Sequence, residues 1–293
     1  MSRYERDEAE IEASRAPLMD HLIELRGRLV ICVVAFVLGF ILCFAFSEPL
    51  YIFLVKPFAA AAAFHSAVGP GGHVSPLDLI LGTAGLKALP VVDGQMVNLI
   101  YTAPLEFLFT KMKLAGFGAV VVSFPVLAWQ LYRFVAPGLY RNEKGAFLPF
   151  LLAAPLLFLL GAALVYFVML PFVMWFSLSQ QITGSGVSAE LLPKVSDYLN
   201  LVTALLLAFG LCFQLPVVMT LLGLAGIISS KVMAEGRRYA IVGVVVVAAV
   251  VTPPDPISQL MLAIPLVLLY EVSIWCVRLI ELRRRQADAT TPA

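Results

Sequence analysis

Residues 29–46 form an uninterrupted apolar run of 18 positions, and no other feature constrains this chain as strongly. A bilayer's hydrocarbon core, about 30 Å thick, takes a helix of roughly 20 apolar residues. In lipid the backbone must pair its own N–H and C=O groups, so such a run is read as helix. Comparable runs recur, placing spans at about 29–46, 112–132, 147–170, 199–226, 239–252 and 258–277. The chain is 61% hydrophobic and only 13% charged, against about 25% charged in a soluble domain. The expected fold class is an all-α integral membrane protein of six transmembrane helices with a short fifth and sixth helix. The apolar stretch 239–251 has only 13 residues, or about 20 Å of helix.

The segments between spans are read as follows. Residues 1–17 are polar and expected to be disordered. Their mixed charge, with Asp7, Glu8, Glu10 and Glu12, argues against a cleavable signal peptide, whose apolar core is about 7–15 residues. Residues 47–110 form a long excursion. Within it 59–63 and 69–72 are low-complexity and expected to be mobile, and Ser75-Pro76-Leu77-Asp78 could start a short helix. Residues 147–178 carry no charge. That exceeds one crossing, and Pro171 is expected to mark a bend onto the surface. Gln214-Leu215-Pro216 interrupts the fourth span, and Thr252-Pro253-Pro254-Asp255-Pro256 turns between the last two. The six-span domain is placed at 18–282, with a tail at 283–293.

Six crossings put both termini on one side, and Lys and Arg choose it. Of 20 Lys and Arg residues, 15 fall in the terminal segments and in the 133–146 and 223–238 loops. Lys56, Lys87 and Lys194 lie on the opposite side. Cytoplasmic segments collect positive charge, so both termini are expected in the cytoplasm.

Before the first span, Leu18, Leu22, Leu25 and Leu29 share one helical stripe, while His21, Glu24 and Arg28 share another. Glu24 can pair with Arg28 one turn on. This reads as an amphipathic helix lying on the membrane and running into a span. The bland reading is a topogenic anchor. The sharper one makes Glu24 and Glu143, both on the cytoplasmic side, an acidic pocket for a cationic ligand. A carboxylate takes a guanidinium in a two-pronged hydrogen bond that lysine cannot reproduce. Fully exposed, each pair would contribute only about 0–1 kcal/mol, so partial burial is needed.

Gln214, Glu271 and, near the outer surface, Glu106 are polar residues at membrane depth, where such groups are costly and functional by default. Gln214 precedes Pro216 and could instead satisfy backbone groups freed at a kink. Glu271 could serve a proton pathway, a polar partner helix or a water-filled recess. The four cysteines lie in apolar runs without paired spacing and read as core residues. No nucleophile set, metal motif or phosphate loop appears, so no enzyme, metal or cofactor is expected.

Three stretches in order resemble the TatC family, the multispan core of the twin-arginine protein translocase. They are His21-Leu22-Ile23-Glu24-Leu25-Arg26; Phe134-Val135-Ala136-Pro137-Gly138-Leu139-Tyr140 with Glu143; and Thr252-Pro253-Pro254-Asp255 with Ser258-Gln259. The resemblance covers roughly residues 17–282. It implies a receptor for signal peptides bearing consecutive arginines. Such a receptor assembles with single-span TatA- and TatB-type proteins, with copies of itself and with lipid, not nucleic acid, in the bacterial inner membrane. Folded proteins would be exported using the proton-motive force. Glu24 and Glu143 match the recognition glutamates, with Arg26, Phe134, Pro137 and Tyr140 beside them. Pro57, Glu106, Asp255 and Gln259 are implied on the periplasmic side, and Gln214 and Glu271 toward partner helices. Gln214 stands where the family often has glutamate, and the loop around 59–95 reads as an insertion. The alternative from another class is a proton-coupled small-solute transporter using Glu271 and Gln214. The absence of an internal repeat weighs against it.

Overall fold

The computed structural model describes residues 3–68, 74–90, 99–135, 147–181, 193–224, 226–251 and 256–290. The described chain is helical: α1 (Arg3–Ala45), α2 (Ser47–Val68), α3 (Pro76–Thr83), α4 (Glu106–Val135), α5 (Phe147–Leu164), a π-helical turn (Val165–Met169), α6 (Leu170–Ser179), α7 (Val195–Cys212), α8 (Leu215–Leu224), α9 (Ser230–Glu235), α10 (Arg237–Val251) and α11 (Pro256–Thr290). Among the described residues no strand forms, and the one bridge pairs Ile100 with Lys194.

Neighbour contacts fix the directions. α1 runs antiparallel to α4: Arg28 reaches Gln130, Gly39 faces Ala119 and Cys43 faces Gly118. α5 runs antiparallel to α7, with Phe158 against Gly210 and Gly161 against Phe209. α10 and α11 form a hairpin, and α11 runs parallel to α8, with Val277 on Gly223. The start of α1 and the ends of α4, α8 and α11 therefore share one end of the bundle, the termini end. The starts of α4 and α7 share the far end. The core lies between them, around Val165, Met169, Leu170, Val202, Leu205, Phe209, Leu262 and Leu266.

Among the described residues, six helical runs are long and apolar enough to cross a membrane: Leu22–Ala45, Ser47–Val68, Glu106–Arg133, Leu152–Ser179, Val195–Leu224 and Ser258–Leu282. Five match sequence expectations. The sixth is α2, from the stretch read as an excursion, while α10, at 15 residues, falls short of that length. The residues α2 meets belong to the far end. Tyr51 packs on Phe107, and Phe53 and Leu54 accept hydrogen bonds from Tyr166 and Tyr198. α2 thus caps the bundle.

Other expectations need correction. The 59–63 alanine run is helical, with Ala60 and Ala61 buried. Alanine is the best helix former, and its small side chain allows close approach. Residues from Arg3 onward continue α1 instead of forming a disordered tail; Glu, Ala and Arg there are strong helix formers. Pro171 does not end its helix. The ring removes a backbone donor, and the chain widens into a π turn just before it, with the Leu170 N–H bonding the Val165 carbonyl. The last helix is not short: α11 has 35 residues. The 69–72 stretch lies outside the described residues.

Candidate functional site

At the termini end, α1 and α4 meet through a small polar junction. Arg28 Nη2 bonds Glu24 Oε1 one helical turn back, and Arg28 Nη1 donates to the Gln130 carbonyl at 3.2 Å. The Arg28 side chain is 14% exposed and that of Glu24 is 40% exposed. Arg28 is thus a strut fixed at both ends, and Glu24 is an accessible carboxylate held in one orientation. Arg26, on the next face, is exposed. Leu22, Leu25 and Leu29 are exposed, but so are Ile23, Val30 and Ile31 on the other faces of the same unbroken helix, so no interfacial stripe is set apart from the span. Phe134 falls in the last turn of α4. Pro137, Tyr140, Glu143 and Asp255 lie outside the described residues.

The polar groups expected at membrane depth separate into distinct contacts. Gln214 stands in the break between α7 and α8 and donates its amide to the Ala154 carbonyl on α5 at 2.8 Å. It does satisfy a backbone group, but on a neighbouring helix. Replacing Gln214 with leucine should cost about 0.5–1.5 kcal/mol, the worth of one hydrogen bond to a carbonyl that keeps its own helical donor. Gln214→Glu should keep the contact only when the carboxyl is protonated. The check is the thermal midpoint of each variant across pH, and equal midpoints at all pH values would contradict it.

Glu271 pairs with Arg237 Nη2 at 2.8 Å, at the level where α10 begins. It is therefore near the termini end and not at a sealed midplane. The solute-transporter alternative needs Gln214 and Glu271 to act together, and each is engaged elsewhere.

At the far end, Glu106 occupies the first turn of α4 after Ala103-Pro104-Leu105. Its carboxylate takes the N–H groups of Thr102 and Ala103 at 2.8 and 3.2 Å, and the Ser196 hydroxyl of α7 at 2.6 Å. A glutamate carboxylate reaching back to the N–H three residues earlier is one half of a capping box. The Ser196 bond ties the start of α4 to that of α7. Gln259 donates to the Val245 carbonyl at 3.3 Å across the α10–α11 hairpin.

Pro57 is buried within α2. Lacking an N–H, it leaves the Phe53 carbonyl four residues back without a helical donor. The Tyr166 hydroxyl fills that role at 2.7 Å, and the Phe53 and Tyr166 rings stack at 4.4 Å. Tyr166→Phe should therefore loosen the cap by about 1–2 kcal/mol, read as faster proteolysis of α2. Unchanged cleavage would contradict this.

Sequence reasoning missed the Gln130 carbonyl, Tyr166, Ser196 and the Glu281–Ser230 contact that holds α9. Such partners lie far apart in sequence and leave no local pattern. Glu271–Arg237 was within reach: residues equidistant from a turn near 254 face each other across the hairpin.

Residues 20–265 match the family model described as Sec-independent protein translocase protein (TatC). The chain is 40% identical over 279 residues to the TatC protein of Magnetococcus marinus, covering 95% of this chain and 90% of that one. It is 35% identical over 266 residues to the TatC protein of Rickettsia prowazekii, covering 90% and 94%. A crystal structure of the twin-arginine translocase receptor TatC superposes with a TM-score of 0.67 at 34% identity, covering 88% of this chain and 98% of that one. This chain belongs to the TatC family of Sec-independent protein translocase proteins.

Proposed function

We propose that this chain is the signal-peptide receptor and scaffold of a twin-arginine translocase in the bacterial inner membrane, with both termini in the cytoplasm. Glu24 and Glu143 take the two consecutive arginines of a signal peptide, with Arg26, Phe134, Pro137 and Tyr140 shaping the site. The observation that carries this reading is the fixed, accessible carboxylate of Glu24 at the junction of α1 and α4. Val135 ends α4 and Phe147 begins α5, and Glu143 falls between them in the sequence. The Lys and Arg distribution supports the termini end as cytoplasmic.

The scaffold role rests on the α10–α11 hairpin. Tyr239, Val242, Val246 and Val250 form an exposed apolar stripe along α10. A helix this short also thins the bilayer around it. Single-span TatA- and TatB-type helices dock here, and other copies of the chain complete the assembly. The chain makes no covalent bond; transport draws on the proton-motive force. The test is export of a folded twin-arginine substrate in cells carrying Glu24→Gln with Glu143→Gln. The reading expects export to be lost while the chain still reaches the membrane. Full export would overturn it.

A further inference from the structure

We propose that Arg28 is a positioning residue that gives the Glu24 site its preference for arginine over lysine. This inference rests on the receptor reading and adds to it a residue that does not itself touch the peptide. Arg28 is the less exposed member of its pair, at 14% against 40% for Glu24. It has two anchors in different directions: a carboxylate oxygen on its own helix and the Gln130 carbonyl on α4. A guanidinium can hold both because its donors diverge in a rigid plane. Arg28 therefore stays in place when a ligand arrives, and it fixes the plane of the Glu24 carboxylate.

That plane is what distinguishes the two cations. A carboxylate has about four lone-pair positions, and Arg28 uses one on Oε1. The remaining positions face solvent in a defined orientation. An incoming guanidinium is planar, so it gains its forked pair only if the carboxylate plane is already set. An ammonium has no plane and gains the same single contact whatever the carboxylate's rotation. Fixing the carboxylate in advance lowers the ordering cost for arginine binding and does little for lysine. Arg28 also places a positive charge beside the site, which weakens every cationic ligand alike. Only the forked geometry offsets it.

The test measures labelling of the full chain in membranes by photoreactive signal peptides carrying Arg-Arg or Lys-Lys, titrated to give apparent affinities. Arg28→Lys keeps the charge but replaces the rigid planar fork with a rotatable ammonium, which does not fix the plane of the Glu24 carboxylate. It should lower Arg-Arg affinity about ten-fold, the loss of one charge-assisted hydrogen bond's worth of orientation. Lys-Lys affinity should stay within about two-fold, because only an undirected contact is involved. Arg28→Gln should show the same collapse of the ratio. An unchanged Arg-Arg to Lys-Lys ratio in Arg28→Lys would overturn the inference while leaving the receptor reading intact. A fall of both affinities by one factor, with a lowered thermal midpoint, would also overturn it, reducing Arg28 to a packing residue. Wild-type chain that labels equally with both peptides would overturn the receptor reading and this inference with it.

Discussion

Replacing Glu24 with alanine is expected to weaken capture of an Arg-Arg signal peptide by at least about ten-fold, since a hydrogen bond to a charged group contributes about 1.5–3 kcal/mol. The loss exceeds that of one contact. Without Glu24, the Arg28 guanidinium remains in the site, still held by the Gln130 carbonyl. A peptide arginine would then meet a positive charge where the carboxylate had been. Glu24→Gln should do less harm, because the amide oxygen can still accept from Arg28 and from the peptide. The order alanine worse than glutamine is therefore part of the expectation, measured by titrating a labelled peptide against membranes. Equal binding by wild type and Glu24→Ala would mean that Glu24 is only a surface glutamate.

The second large effect concerns packing. A Cβ on Gly161 would lie 2.8 Å from the Phe209 carbonyl oxygen and 2.8 Å from Phe213 Cγ. Phe209 is fully buried and Phe213 nearly so, and the blocking oxygen belongs to the α7 backbone. Neither side can give way without separating α5 from α7. Small residues at such crossings let helices in lipid come close enough for dispersion to hold them. Overpacking a core costs about 1–3 kcal/mol for a modest insertion. Leucine at 161 should exceed that range and lower the thermal midpoint by about 5 °C or more. Gly116 supplies the control: an added Cβ there meets nothing within 4 Å. Gly116→Leu should leave the midpoint nearly unchanged. Equal midpoints for the two variants would contradict the close-packed α5–α7 contact.

Most traversing helices were legible because lipid makes apolar length nearly sufficient evidence. The N-cap chemistry at Glu106 was also local, a carboxylate reaching the N–H three residues earlier. The cap α2 was not. Lys56 and Pro57 break its apolar pattern, and the contacts that seat it on the bundle, the Tyr166 and Tyr198 hydroxyls on its carbonyls, come from over 100 positions away. The π turn before Pro171 was equally hidden. A proline in a long apolar run announces a lost hydrogen bond, not how the chain absorbs it. At the candidate site, Glu24 and Arg28 share a helical face and so could be paired from spacing alone. The Gln130 carbonyl that makes Arg28 a strut could not, since nothing local relates residue 28 to residue 130. Glu271 reads as a charge at membrane depth from its own apolar neighbours; with the hairpin aligned, it faces Arg237 where α10 begins.

The most direct measurement places a crosslinker in turn at position 24 and at position 143, in membranes, and offers a signal peptide with Arg-Arg or Lys-Lys. Crosslinks from both positions to the Arg-Arg peptide are expected, and their loss with Lys-Lys. Equal labelling of the two peptides, or labelling from neither position, would contradict the receptor reading.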